Sequence, residues 1–108
     1  MIYSKREQFE LAEAEYRHAL DLLPKFPAAH YNLGNDLLLR GNYSGAVKSF
    51  NRALRLYPTD VWALNNRGLA YQKQGKIKKA RRDFEEALRI EPGFEQAKKN
   101  LADLEAAL

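Results

Sequence analysis

Three asparagines, Asn32, Asn66 and Asn100, stand 34 residues apart, and the middle one follows a fourth, Asn65, in the stretch ALNNRGLAY (63–71). Asparagine is a mediocre helix former because its short amide competes for backbone hydrogen bonds, so a column of amides inside otherwise helical sequence needs a reason. The chemistry an amide offers is main-chain recognition, since it donates to a backbone C=O and accepts from a backbone N–H at once. Neighbouring helix axes lie roughly 8–10 Å apart, and an extended chain advances roughly 3.3 Å per residue. One amide per helix would therefore meet a bound segment at about every third residue. The competing reading is structural, with the amides orienting helix packing or simply solvated.

Other reactive types form no constellation. His18 and His30 fall on different kinds of helix and have no i, i+4 ligand partner, so no metal site is expected. GNYSG (41–45) lacks the spacing of a phosphate-binding loop and reads as a turn between helices. Glu85 and Glu86 have no pocket-forming apolar context. With zero cysteines there is no thiolate nucleophile or disulfide framework. Neither a catalytic activity nor a cofactor is expected.

Charge is spread unevenly. Residues 61–94 carry eight Lys/Arg against four acids, while 95–108 carry two against three. The densest basic run is KIKKARR (76–82), and Lys76, Lys78, Lys79, Arg81 and Arg82 could meet phosphates or an acidic protein surface. Asp83, Glu85 and Glu86 follow at once, and no aromatic residue interleaves for base stacking. The run therefore reads first as a solvated face, and nucleic acid is not the expected partner. At 45% hydrophobic and 30% charged residues, the 108-residue chain matches an ordinary soluble domain. No apolar run approaches 18 residues and residues 1–10 hold no signal-peptide core, which points weakly to the cytoplasm and away from the membrane.

The elements that would position these residues repeat. Aligning Pro24, Pro58 and Pro92 gives a period of 34 and brings AEAEYRHALDLLP, AVKSFNRALRLYP and ARRDFEEALRIEP into register. Each holds Ala, an aromatic, Ala and Leu on one helical face: Ala12, Tyr16, Ala19, Leu20; Ala46, Phe50, Ala53, Leu54; Ala80, Phe84, Ala87, Leu88. A preceding helix, HYNLGNDLLLRGNY or LNNRGLAYQKQGKI, completes each unit. Gly41 and Gly75 should end these first helices in the left-handed conformation. Gly34 and Gly68 lie within them at a cost of roughly 1 kcal/mol each, which predicts close approach of the paired helix, where Ala46 and Ala80 are small.

The order Leu33, Gly34, Leu37, Gly41, Ala46, Phe50, Ala53, Pro58, and again Gly68, Tyr71, Gly75, Ala80, Phe84, Ala87, Pro92, resembles the tetratricopeptide repeat. His30 and Leu64 stand where that family often has Trp, and Arg67 replaces its usual Leu. The resemblance implies an all-α solenoid of antiparallel helix pairs forming a right-handed superhelix: a partial repeat over 1–26 (second helix about 9–23), full repeats over 27–60 and 61–94, and a C-terminal capping helix over 95–108. It also implies that first helices line the inside of the curve, with Asn32, Asn66 and Asn100 pointing into a groove as an asparagine ladder. The function implied is a protein-interaction scaffold holding an extended peptide or helix of a partner.

By register, Ala28, Tyr31, Asn35, Leu38 and Leu39 face Trp62, Leu69, Gln72 and Lys73 across that groove, with Gln96, Lys99 and Asp103 from the cap and Asn65 beside the ladder. Trp62 either contacts the partner or packs on the loop near Tyr57 and Pro58. A subclass of the family binds chaperone C-terminal carboxylates through a Lys, Asn and Arg clamp. Here only Asn32 matches that clamp; Trp62 and Asn66 stand where its Lys and Arg would be, so a carboxylate clamp is not expected.

The ends differ from the middle. GFEQAKKNLADLEAAL (93–108) reads as an amphipathic helix with Phe94, Ala97, Leu101 and Leu104 on one face, covering the open end of the stack. At the front, Glu7 occupies the place of Gly41 and Gly75. Residues 2–23 then form either a stub and a helix or one long helix. Both leave an apolar face around Phe9, Ala12 and Tyr16, which a longer array or self-association would cover.

Overall fold

A helix whose apolar residues all lie on one face must bury that face against another, and the repeated segments here do so in pairs. The computed structural model describes residues 27–108, which form five helices: α1 (Pro27–Leu39), α2 (Tyr43–Leu56), α3 (Val61–Lys73), α4 (Ile77–Ile90) and α5 (Glu95–Ala106). The expectations for the segment before Pro27, including the helix near 9–23 and the apolar face at Phe9, Ala12 and Tyr16, lie outside the described residues.

Local chemistry sets the boundaries. Gly41 and Gly75 have φ of 82° and 77°, the left-handed conformation open to glycine. Around each, two reversed hydrogen bonds close the helix end: Asn42 N–H to Leu37 O (2.8 Å) with Gly41 N–H to Leu38 O (3.1 Å), and Lys76 N–H to Tyr71 O (2.9 Å) with Gly75 N–H to Gln72 O (2.9 Å). The Asn42 side chain then caps α2 by accepting from Gly45 N–H, and Asp60 caps α3 by accepting from Trp62 and Ala63 N–H. The second helices stop at Tyr57 and Glu91, which precede Pro58 and Pro92 and have left the helical region with φ, ψ of −140°, 86° and −131°, 89°.

Within each pair the ring of the second helix fills the space left by the glycine of the first. Phe50 and Phe84 are fully buried, each contributing about 1.5–3 kcal/mol. A Cβ added at Gly34 would lie 2.6 Å from Phe50 Cε1, and one at Gly68 would lie 2.6 Å from Phe84 Cε1. The close approach expected from these glycines is real, but it is made to an aromatic ring.

Pairs stack through α2 on α3 and α4 on α5, and the first helices also touch one another, α1 to α3 and α3 to α5. Among the described residues no Cα of α2 comes within 8 Å of a Cα of α4. The row of first helices is thus the tighter one, and the stack curves toward it. Ala97 and Leu104 of α5, with Phe94 just before it, are buried against the preceding pair.

Arg67 anchors a polar tie across the stack. Arg67 donates from Nε and Nη2 to the two Asp83 oxygens (2.8 and 2.7 Å) and from Nη1 to Asn51 Oδ1 (2.9 Å), joining α2, α3 and α4. The hydrogen bonds to Asp83, reinforced by its charge, hold the guanidinium more firmly protonated than usual, against the opposing effect of burial. Thirty-four residues earlier the same places hold Leu33 and Ser49, so the departure at Arg67 is answered by a second departure at Asp83. Asp36 has no such answer. It is buried, its Oδ2 lacks a hydrogen-bond partner among the described residues, and burial raises its pKa above the usual carboxylate value.

Candidate functional site

The concave face is built from α1, α3 and α5, and its floor is a chain of amides. Asn100 Nδ2 donates to Asn65 Oδ1 (2.8 Å), Asn65 Nδ2 donates to Asn66 Oδ1 (3.2 Å), and Asn66 Nδ2 donates to both Asn35 Oδ1 (2.8 Å) and Tyr31 Oη (3.2 Å). Five side chains from three helices form one relay. Asn65, which the sequence placed beside the column, is its buried centre at 3% exposure. A buried amide without partners would cost about 1–3 kcal/mol; this one accepts from Asn100 across the gap to α5 and donates to Asn66 on its own helix.

The relay changes the roles expected of the column. Asn66 spends both amide hydrogens within the protein, so it orients its neighbours more than it reaches outward. Among the described residues, what remains open lies at the ends: the Asn35 amide hydrogens and the Tyr31 hydroxyl hydrogen on one side, and the second hydrogen and the oxygen of the Asn100 amide on the other. Asn32 is exposed on α1 and takes no part in the relay. Tyr31 is fixed from below by Phe50, ring centroids 6.1 Å apart.

The remaining candidates are dispersed. Leu69 is half-buried and packs with Tyr71, Ile77 and Leu101 around Phe84 and Leu104. Lys73 is exposed in the last turn of α3. Trp62 meets Phe94 edge-on at 4.8 Å between ring centroids and 74° between planes, yet stays 47% exposed. It shares a cleft with Tyr57, on the loop side expected of the packing reading. The Phe94 contact was not visible in the sequence, although Phe94 stands where Asp60 stands one repeat earlier and its size was the clue.

No cluster of three or more His, Cys, Asp or Glu able to hold a metal occurs among the described residues. None of the described helices is long and apolar enough to cross a membrane. On the outer side, Lys76, Lys78, Lys79 and Arg82 are exposed. Lys79 lies over the Tyr71 ring at 5.5 Å, Arg81 reaches Glu105 at 4.0 Å, and Arg89 pairs with Glu86 on its own helix.

Comparison with known proteins matches two family models, "TPR repeat" over residues 34–75 and "Tetratricopeptide repeat" over 61–94. Tetratricopeptide repeat protein 36 of Xenopus tropicalis is 31% identical over 109 residues, covering 97% of this chain and 54% of that protein. The tetratricopeptide repeat and J domain-containing co-chaperone DNJ1 of Cryptococcus neoformans is 40% identical over 76 residues, covering 68% of this chain and 15% of its own length. The chain thus spans only part of these relatives. Among solved structures, the second TPR domain of human RPAP3, in complex with the HSP70 peptide SGPTIEEVD, superposes with a TM-score of 0.87 at 28% identity over 94% of this chain and 84% of that one. The Arabidopsis OM64 TPR domain gives 0.88 at 25% identity, covering 96% and 86%.

Proposed function

The chain belongs to the tetratricopeptide repeat family, and on that footing we propose that its concave face is a protein-interaction surface that holds an extended segment of a partner. The observation that carries the reading is the amide relay. It fixes polar groups on three neighbouring helices and leaves donors and acceptors open at both ends and at exposed Asn32. Groups of that kind recognise main chain without selecting side chains. The HSP70 peptide held by the human RPAP3 domain supports a peptide as the ligand class. A carboxylate clamp is not proposed, because Trp62 and Asn66 occupy the clamp's cationic places. Residues 27–60 and 61–94 act here as two repeats, with 95–108 as a cap that contributes Asn100 to the floor.

A peptide library panned on the wild type and on an Asn32→Ala, Asn100→Ala double variant tests this. Each lost hydrogen bond is worth about 0.5–1.5 kcal/mol, so selected peptides should bind the variant about tenfold more weakly with helicity unchanged. Equal retention of the same peptides by both proteins would show that the relay is structural only.

A second reading rests on the four exposed basic residues of the outer face, which have no carboxylate partner among the described residues. They would bind an acidic protein surface or a nucleic acid. Such binding should fall steeply with salt and ignore the concave-face substitutions.

A further inference from the structure

Trp62 and Tyr57 are 47% and 54% exposed, large aromatic rings left in solvent on one side of a cleft of about 370 Å³. Thr59, Asp60, Val61, Ile90 and Glu91 complete its walls, and no Lys or Arg lines it among the described residues. We propose that this cleft receives a basic side chain, lysine or arginine, of the bound partner; for its purpose the proposal rests on the peptide-binding reading above.

Three features converge on a cation. Aromatic faces attract ammonium and guanidinium groups within about 6 Å of the ring centroid. Trp62 is held in place by its edge-on contact with Phe94, so the ring is positioned before any ligand arrives. Electrostatics point the same way. Tyr57 and Glu91 are the C-terminal caps of α2 and α4, so two helices present their negative ends here. The opposing positive end, that of α3, is covered by the Asp60 carboxylate, whose Oδ1 accepts from Trp62 and Ala63 N–H. Glu91 is exposed and enters no ion pair among the described residues. The basic residues in the last turns of α2 and α4, Arg55 and Arg89, do not line the cleft. An acidic side chain would meet two carboxylates and two helix C-termini, and an aliphatic one would leave Glu91 unanswered.

Trp62 is the chain's only tryptophan, so its fluorescence reports on this cleft alone. The probes are acetylated, amidated Gly-Lys-Gly and Gly-Arg-Gly, with the norleucine and glutamate counterparts as controls. The basic probes should give saturable changes at millimolar concentration, at least fivefold tighter than either control. Glu91→Gln and Tyr57→Ala, both at exposed positions, should each weaken the lysine probe about two- to fivefold. Equal response to the norleucine probe, or no effect of either variant, would overturn the proposal. The Asn32→Ala, Asn100→Ala variant separates the two ideas. It should leave the tripeptide titration unmoved, so a cleft that titrates beside a groove that retains no peptide would refute the groove reading alone.

Discussion

Replacing Arg67 by leucine, the residue at the same place in the preceding repeat, should destabilise the protein sharply, although it restores the family's usual residue. The reason is Asp83, which is 5% exposed and receives two hydrogen bonds from Arg67. Breaking a buried pair by removing one partner costs about 3–5 kcal/mol. The lower end, about 3 kcal/mol, applies here because the Arg67 side chain keeps 22% exposure and water reaches part of the site. Asp83→Ser should cost less, about 1–2 kcal/mol, since the guanidinium keeps Asn51 and its solvent contact. The double variant reproduces the Leu33 and Ser49 arrangement and should return to within about 1 kcal/mol of wild type, because apolar replacement of a whole buried pair is often neutral. The coupling in the cycle is then about 3 kcal/mol. Urea unfolding followed by circular dichroism measures all four proteins, with hydrogen exchange in α3 as a second probe because repeat arrays lose cooperativity. A cost below about 1 kcal/mol for Arg67→Leu, or strict additivity in the double variant, would refute the claim that Arg67 and Asp83 form one unit.

Gly68→Ala pits helix propensity, a gain of about 1 kcal/mol, against overpacking of the fully buried Phe84 ring at about 1–3 kcal/mol. The new Cβ would lie 2.6 Å from that ring, so the net effect should be a lower melting temperature; a raised one would show that the ring has room to move. Asp36→Asn should raise stability at neutral pH by about 1 kcal/mol, the order expected for relieving a buried, partly unpartnered carboxylate. Its folded pKa is raised by burial, so the native state binds the proton more tightly than the unfolded chain, and wild-type stability falls as pH rises from 3.8 through the folded value. The advantage of the variant should therefore vanish in unfolding curves taken below pH 3.8, and an equal gain there would exclude desolvation as the cause.

The helices were legible because each boundary has a local cause. Gly41 and Gly75 mark ends that only a left-handed residue can make, and Pro58 and Pro92 forbid continuation. What escaped was chemistry between repeats. A period aligns equivalent places and so suggests that Asn32, Asn66 and Asn100 contact a ligand in equivalent ways. The contacts instead run between non-equivalent places, Asn66 to Asn35 and Tyr31, and Asn100 to Asn65. Stacking sets one repeat against the next with a shift along the helices, and a register drawn on a single helix cannot contain that shift. Arg67 and Asp83 were recoverable in principle, since two departures from the preceding repeat within one unit suggest a compensating pair.

On the proposed reading, the same shift would let the groove be firm and still bind. A ladder of free amides would have to lose side-chain freedom when a ligand arrives, at a cost of about 0.5–1.5 kcal/mol for each side chain immobilised. In the relay, Asn65 and Asn66 have already lost that freedom on folding, held by Tyr31, Asn35 and Asn100. The outward groups of Asn35, Tyr31 and Asn100 would thereby be aimed before contact, while exposed Asn32 takes no part in the relay. Pre-ordering of this kind favours a long, weakly selective grip on main chain. On that reading selectivity must come from other side chains, and the cleft proposed beside the exposed Trp62 would supply part of it.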